Sequence, residues 1–531
     1  MNRQELISQV VVTAQQMRDI EERMFAAGMP VAALMEKVAG LITRHIQVLI
    51  QVLVQQLSPI RNIVVLIGPG HNGADALVVA RELFLHGYEV GIYCPFSNLK
   101  VLTSQHLQYA QSLGIPYHQS IDAVENCDLL IDGLFGFGLE RNLGDAIIAS
   151  DIDTINAWSK PVISIDLPSG LHTDTGEVLG TAIRATHTLC LGLWKLGLLQ
   201  DKALEYVGKA ELIDFGIPWA DVENVLERSS KIHRITRKIA LSTLPLPRPP
   251  VTHKYKEGHL LLICGSRRYA GGAILTGLGA RASGVGMLSI AVPESLKSLL
   301  VAQLPEALII GCPETETGAI SQLELPANTR LDSFSAIACG PGLTIDAAAI
   351  IEQVLASTDP LVIDADGLNI LANMETTLGT GAIDILKKRQ AASVITPHTG
   401  EFKRLFPDIP DATNHRIEAL REAAKQSGAI VLLKGARTAI ANSDGNVWIV
   451  PESTPALARG GSGDVLTGLL GGLLAQGVNK DVAIAQIVAT AAWWHAQAGI
   501  LAAQERTELG VDAYTLTQYL LPVIGNRRNT N

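Results

Sequence analysis

Four things are scarce in this 531-residue chain. Cysteine is limited to six residues, Cys94, Cys127, Cys190, Cys264, Cys312 and Cys339. They lie far apart and none forms a C-x-x-C pair, which excludes a disulfide framework or zinc site and points to a reduced, cytoplasmic setting with buried thiols. Aromatic residues make up only 5%, too few for base-stacking platforms. Charged residues reach 18%, and the formal net charge is -10. An acidic chain repels phosphate backbones, so nucleic acid is excluded as a partner. No apolar run spans a bilayer: the longest candidate, IQVLIQVLVQQL (46–57), is too short and carries four glutamines. It is expected to be an amphipathic helix packed on its domain, with a further role in a homo-oligomer contact. The N-terminal MNRQELISQVVVTAQQ has no basic region before an apolar core, so it does not read as a secretory signal.

Apolar material is plentiful, at 47% hydrophobic residues, and it is arranged in two alternating halves. After two helical stretches, TAQQMRDIEERMFAAG and PVAALMEKVAGLITRHIQ, the first half presents strand candidates NIVVLIG (62–68), EVGIYC, DLLID (128–132), PVISID (161–166), HTLCLG (187–192) and AELID (210–214). The second half begins again with HLLLICG (259–265), then MLSIAV, SAIACG, PLVIDA, SVIT and AIVLLKG (429–435). It continues with the hairpin RTAIANSDGNVWIV and a helical region from Asp464 to about Ala503. Continuous apolar runs separated by helical segments predict parallel sheets covered on both faces. Between the halves, LPLPRPP (244–250) holds four prolines in seven residues. It is expected to be a stiff linker. The expected domains are 1–225 and 251–531, with 226–250 as the Pro-rich linker.

In the first half, GPGHNGAD (68–75) fits G-x-G-x-x-G between a strand and a helix. Glycines there let backbone amides approach a phosphate at a helix N-terminus. The next strand ends in Tyr93-Cys94-Pro95 with no ribose-binding acid, which argues against a hydride-transferring dinucleotide site. No lysine completes a Walker loop. DGLFGFGLERN (132–142) and DLPSGL (166–171) place Asp132, Asp166 and Ser169 at further strand ends, where an open parallel sheet forms its ligand crevice. With Asn72 these are oxygen donors suited to a hard cation or a nucleotide; singly, either aspartate reads equally as a helix cap.

In the second half, ARGGSGDVLTG (458–468) is the sharpest signal. Gly461, Ser462 and Gly463 expose amides to a transferring phosphoryl group, and Asp464 sits beside them as a base for an attacking hydroxyl. Other strand ends supply KGART (434–438), TPHTGEF with His398 and Glu401, VIDADGLN with Asp364, Asp366 and Asn369, GPGL (340–343) and YAGGA (269–273).

On these motifs, taken in order, the chain resembles the bifunctional NAD(P)H-hydrate repair enzymes over nearly its whole length. The resemblance implies an N-terminal Rossmann-like, three-layer epimerase domain and a C-terminal ribokinase-like α/β dehydratase domain. The implied substrates are hydrated NADH or NADPH and an adenine nucleotide: the first domain interconverts the R and S hydrates, and the second dehydrates the S form with ADP, releasing AMP and phosphate. Carried over, the epimerase site comprises His71, Asn72, Gly73, Ala74 and Asp75, then Gly136, Phe137, Gly138, Leu139, Glu140, Arg141 and Asn142, with Asp166 as its catalytic group. Potassium is implied at Asn72, Asp132 and Ser169. In the dehydratase Ala273, Gly342, His398 and the catalytic Asp464 contact the hydrate. Lys434, Gly435, Ala436, Arg437, Thr438 and Gly463 contact the nucleotide, with Mg2+ accompanying it. The family's usual N-N-G-G-D-G loop reads HNGADA here, and its G-T-G-D reads GSGD. A ribokinase-like small-molecule kinase with a non-catalytic N-terminal nucleotide-binding domain is the alternative reading.

Overall fold

A computed structural model describes residues 2–56, 60–144, 147–226, 231–374, 381–409, 412–477 and 482–525. Contacts divide the chain into two compact units, Met1–Lys231 and Ile232–Asn531.

The first unit is built on a seven-stranded sheet in the order Tyr117–His118, Glu89–Tyr93, Asn62–Ile67, Leu129–Gly133, Val162–Ile165, His187–Leu191, Lys209–Ile213. Every pairing is parallel. Asn62–Ile67 is buried at all but its first residue, because helices cover both faces of the sheet. Ile63 lies opposite Val90 on one side and Leu129 on the other. Sequence order reverses at this strand, so the crevice beyond its carboxyl end is the place for a ligand. A separate short parallel pair, Val10–Val12 with Trp194–Lys195, brings Lys195 into the unit's interior.

The helix expected around residues 46–57 is longer than anticipated: it runs Val31–Gln56, 26 residues, and Leu57 lies outside the described residues. By length and composition alone Val31–Gln55 is apolar enough to cross a membrane, which corrects the expectation of a run too short to do so. Leu34, Val38, Ile42, Ile46, Leu49 and Leu53 are buried at helical spacing, and the helix packs on His71–Leu85. The preceding helix, Ala14–Ala26, starts at a reciprocal capping box between Thr13 and Gln16.

The second unit carries seven parallel strands in the order Leu308–Cys312, Met287–Pro293, His259–Ile263, Ala336–Cys339, Leu361–Ile363, Ser393–Ile395, Ile430–Leu433. The antiparallel hairpin Ala439–Ala441/Val447–Ile449 extends it, and Ile232–Arg234 adds in parallel to the hairpin's outer strand. That last pairing corrects the expected linker. Ile232, Ile235, Ala240 and Leu244 are buried, and the helix Arg237–Thr243 packs on Ile484–Arg506. The stretch 232–250 therefore belongs to the second unit, prolines included; residues 227–230 lie outside the description. The helical region expected from Asp464 to Ala503 is two helices, Ser462–Gly477 and Ile484–Arg506, and 478–481 are not described.

One contact sets the second site. Helices Ala270–Ala282 and Ser462–Gly477 cross with backbones nearly touching. A Cβ on Gly279 would lie 2.2 Å from the Val465 carbonyl oxygen, and one on Gly468 would lie 1.8 Å from that of Thr276. Only glycine fits at either position, and the crossing sets the start of the second helix against the start of the first.

Candidate functional site

In the first unit the glycines at 68 and 73 serve close packing. A Cβ on Gly68 would stand 1.6 Å from the Leu134 carbonyl oxygen, and one on Gly73 2.0 Å from the Gly68 carbonyl oxygen. The turn is thereby pressed against the end of the neighbouring strand. A Cβ on Gly70 would meet nothing. Gly70 precedes the helix His71–Leu85, whose free first-turn amides open beside a cavity of about 400 Å³.

His71, Asn72 and Asp75 line that cavity, as do Gly136, Phe137, Gly138, Leu139, Arg141 and Asp166. Four expected contacts lie off its wall. Gly73 and Ala74 are buried inside the helix packing. Glu140 is exposed and pairs with Arg18 at 3.4 Å. The Asn142 side chain accepts the Gly144 amide at 2.7 Å. In the helix the physical reason is periodicity: Asn72 and Asp75, three apart, share a face that Gly73 and Ala74 do not.

Asp166 directly follows the strand Val162–Ile165 with φ +69, a strained value for a non-glycine residue. Its Oδ1 accepts from Lys195 Nζ at 2.5 Å and from the Leu191 amide at 3.3 Å; its Oδ2 accepts from the Phe137 amide at 2.9 Å. Lys195 is fully buried, also donates to the Leu191 carbonyl, and has its ammonium 5.4 Å from the Phe137 ring centre. Burial works to lower the Lys195 pKa, but Asp166 and other neighbours outweigh it and the net direction is upward. Glu21 completes the wall from the helix Ala14–Ala26. Burial pushes its carboxyl up to about 7, against the pull of Lys195 and with reinforcement from Asp166. Burial, Asp166 and Glu21 together push Asp75 well above the usual carboxylate range. Burial, then Lys100, lowers His71.

Asp132 and Ser169 lie beneath the cavity. Asp132 Oδ1 accepts from the Leu134 amide at 3.2 Å and the Ser169 hydroxyl at 2.6 Å; Oδ2 accepts from the Ser164 hydroxyl at 2.8 Å and the Ser169 amide at 2.9 Å. Burial raises the Asp132 pKa even so, with these donors opposing. Asn72 donates from its amide nitrogen to the Ile165 carbonyl at 3.4 Å. A Cβ on Gly136 would fall 3.2 Å from both Asn72 Oδ1 and Asp166 Oδ2, so these two oxygens converge over that glycine. Sequence reasoning did not single out Glu21, Lys100 or Lys195. One signal existed: Lys195 is a lone charge in the apolar run LGLWKLGLL.

The second site forms where parallel strands end at Ile263, Cys339, Ile363, Ile395 and Leu433. Asp464 is the third residue of the helix Ser462–Gly477 and remains partly exposed. A Cβ on Gly272 would lie 3.3 Å from Asp464 Oδ2, so the carboxylate faces the start of the crossing helix. Burial, then Asp364, pushes Asp464 up to about 6, with Lys434 opposing. Below it, Lys434 Nζ bonds Asp364 Oδ1 at 2.7 Å and stands 3.9 Å from Glu401 Oε2. Thr467 donates its hydroxyl to Asp364 Oδ2 at 2.6 Å. Burial would raise the Asp364 pKa, but Lys434 and Thr467 hold it below the usual carboxylate range. A Cβ on Gly463 would sit 3.6 Å from Lys434 Nζ, which places this cation under the amide-lined turn. The buried His495 donates Nε2–H to the Ser462 carbonyl at 2.9 Å, and burial lowers its pKa to about 4. A neutral imidazole therefore braces the turn.

The remaining expected residues surround this centre in different roles. His398 caps the helix Thr399–Leu405: its Nδ1 accepts the Gly400 amide at 2.9 Å while Glu401 Oε2 accepts the His398 amide at 2.8 Å. Ala273 is fully buried, under Gly265. Gly342, at φ +66, packs against Tyr269. Gly435 and Ala436 are exposed, Arg437 and Thr438 half-buried, and the Thr438 hydroxyl donates to the Gly435 carbonyl at 3.1 Å. Lys434, expected at the nucleotide, is bonded to Asp364 beside Asp464.

Both halves match known families. Residues 260–522 match the family model described as NAD(P)H-hydrate dehydratase, and residues 31–197 match the one described as YjeF-related protein N-terminus. A relative from Synechocystis sp., named a bifunctional NAD(P)H-hydrate repair enzyme, is 53% identical over 512 residues, covering 96% of this chain and 94% of that one. One of the same name from Thermosynechococcus vestitus is 49% identical, covering 97% of each. Among solved structures, the Bacillus subtilis ADP/ATP-dependent NAD(P)H-hydrate dehydratase, co-crystallised with ATP and Mg2+, is 32% identical with a TM-score of 0.45; the match covers 54% of this chain and 96% of that one.

Proposed function

The chain belongs to the family of bifunctional NAD(P)H-hydrate repair enzymes, and from that premise we propose how its own residues divide the work. The first unit is a hydrate epimerase, and the second, of ribokinase-like fold, is a nucleotide-dependent hydrate dehydratase.

The dehydratase reading rests on one observation: Asp464 stands at a helix N-terminus, partly exposed and facing Gly272, beside an amide-lined turn with a lysine under it. Hydroxide leaves a ring carbon poorly, whereas a phosphate ester leaves well. The Asp464 carboxylate takes the proton of the hydrate's hydroxyl as that oxygen attacks the terminal phosphoryl group of ADP. The amides at Gly461, Ser462 and Gly463 stabilise the phosphoryl oxygens. AMP departs. The ring-nitrogen lone pair then expels phosphate, a ring proton is lost and the dihydronicotinamide is restored. Lys434 balances the charge gathering at the turn. Among the described residues no group of three or more His, Cys, Asp or Glu side chains is placed to hold a metal ion. Mg2+ would be carried by the nucleotide's phosphates and retained waters.

In the epimerase the hydrate's ring enters the cavity beside Asp166, and its phosphates meet the free amides at His71 and Asn72. Asn72, Asp132 and Ser169 would hold potassium: the donor set is all oxygen and carries one carboxylate, which suits a hard cation. The ion would supply positive charge near the substrate.

Hydrated NADH given to the purified chain with and without ADP tests the whole. Dihydronicotinamide absorbance should return only with the nucleotide, accompanied by free phosphate. Stoichiometric build-up of a stable phosphorylated product would instead mark a kinase.

A further inference from the structure

We propose that Glu21 is the acid–base group of the epimerase: it hands a proton to the hydrate's hydroxyl and takes it back, while Asp166 serves as a fixed negative charge. The inference deepens the epimerase reading and rests on it.

The division follows from how the two carboxylates are held. Asp166 is committed to three donors, Lys195 Nζ and the amides of Phe137 and Leu191. Lys195 is itself enclosed, by the Leu191 carbonyl and the Phe137 ring. A group so fastened is placed to stabilise a cation but poorly placed to shuttle a proton. Glu21 lines the same cavity, and no donor pairs with it among the described residues. Asp166, Lys195 and Asp75 line the same cavity and interact with Glu21 electrostatically, and His71, Lys100 and Arg141 also contribute to the wall. Its pKa of about 7 lets it both give and take a proton near neutrality.

The step balances within the site. The Glu21 carboxyl gives its proton to the hydroxyl on the ring carbon next to nitrogen. The carbon–oxygen bond breaks, its electron pair leaving with water. The nitrogen lone pair forms a carbon–nitrogen double bond, and the resulting cation is held near Asp166. Water re-adds to the opposite face, and Glu21 recovers the proton. Nothing is consumed.

Resolved R and S hydrates, with epimerisation followed against the spontaneous rate, test this. Glu21→Gln should cut kcat by about a hundred- to ten-thousandfold, leave KM within about threefold and remove the limb of the pH profile near pH 7. Glu21→Asp should retain that limb at reduced rate. Glu22→Gln, exposed on the same helix, should match the unmutated protein, and cooperative unfolding of E21Q should be intact. Near-normal kcat in E21Q, or a limb that survives in it, overturns the proposal. An unmutated protein that does not beat the spontaneous rate overturns the epimerase reading and this inference together.

Discussion

Burial has moved carboxylates in each unit out of their ordinary range, and the direction of that shift sets when each can act. Asp464 must be ionised to accept a proton, and burial has raised its pKa to about 6. Below that value the protonated form dominates and the base is lost. Dehydration at limiting hydrate, read as kcat/KM, should therefore be flat above about pH 7 and fall roughly tenfold per unit well below 6. A pH–rate profile of phosphate release checks this, and an inflection at an unperturbed carboxylate's pKa near 4 would remove Asp464 from the role. Lys434 is the reason the shift stops where it does, because its ammonium opposes both burial and Asp364. The same lysine shows what residue-level reading of the sequence misses. KGART suggested a nucleotide contact, but Lys434 meets Asp364 only because the two parallel strands flanking Ser393–Ile395 end at the same edge of the sheet, bringing together residues 70 positions apart in the chain.

The helix Val31–Gln56 has two readings, a core element or a membrane span, and its burial pattern decides between them. Its buried positions fall on one stripe, whereas Val48 is 57% exposed on the other face. Ile42→Ala, at a fully buried site, should destabilise the first unit by about 2–5 kcal/mol, and Val48→Asp by no more than about 0.5 kcal/mol. Chemical denaturation followed at that unit measures both. Equal, large losses would mean the outer face is buried as well. Central strands such as Asn62–Ile67 and His259–Ile263 were legible because burial on both faces leaves an unbroken hydrophobic signature. Two strands escaped for different reasons: Leu308–Cys312 sits at an edge with alternating burial, and Val10–Val12, though buried, is only three residues long. The proline run misled for a related reason. Prolines forbid regular hydrogen bonding but do not forbid packing, and Ile232–Thr243 had already entered the second unit before them. Glu21 was illegible, and Lys195 showed only as a lone charge in an apolar run, because each gains its meaning from a partner remote in sequence.

At the scale of the molecule, each site is assembled wholly from its own compact unit, the first from residues before Lys231 and the second from residues after Ile232. Two activities that share a substrate but no side chains should fail separately. Asp464→Asn removes the base for phosphoryl transfer, so dehydration should drop at least a hundredfold while R and S hydrates still interconvert at the unmutated rate. Asp166→Asn removes the fixed charge beside the cationic intermediate, so the S hydrate should still be dehydrated normally. The two variants give different time courses on an equal mixture of R and S hydrates with excess nucleotide. The unmutated protein should drain both forms in one phase, since epimerisation feeds the second site. Asp166→Asn should consume the S form quickly and then slow to the spontaneous rate at which R becomes S, leaving a second phase insensitive to enzyme concentration. Asp464→Asn should restore little dihydronicotinamide in either phase. If both variants lost both activities together, the units would be sharing one site, and the assignment of Asp464 and Asp166 to separate reactions would fall.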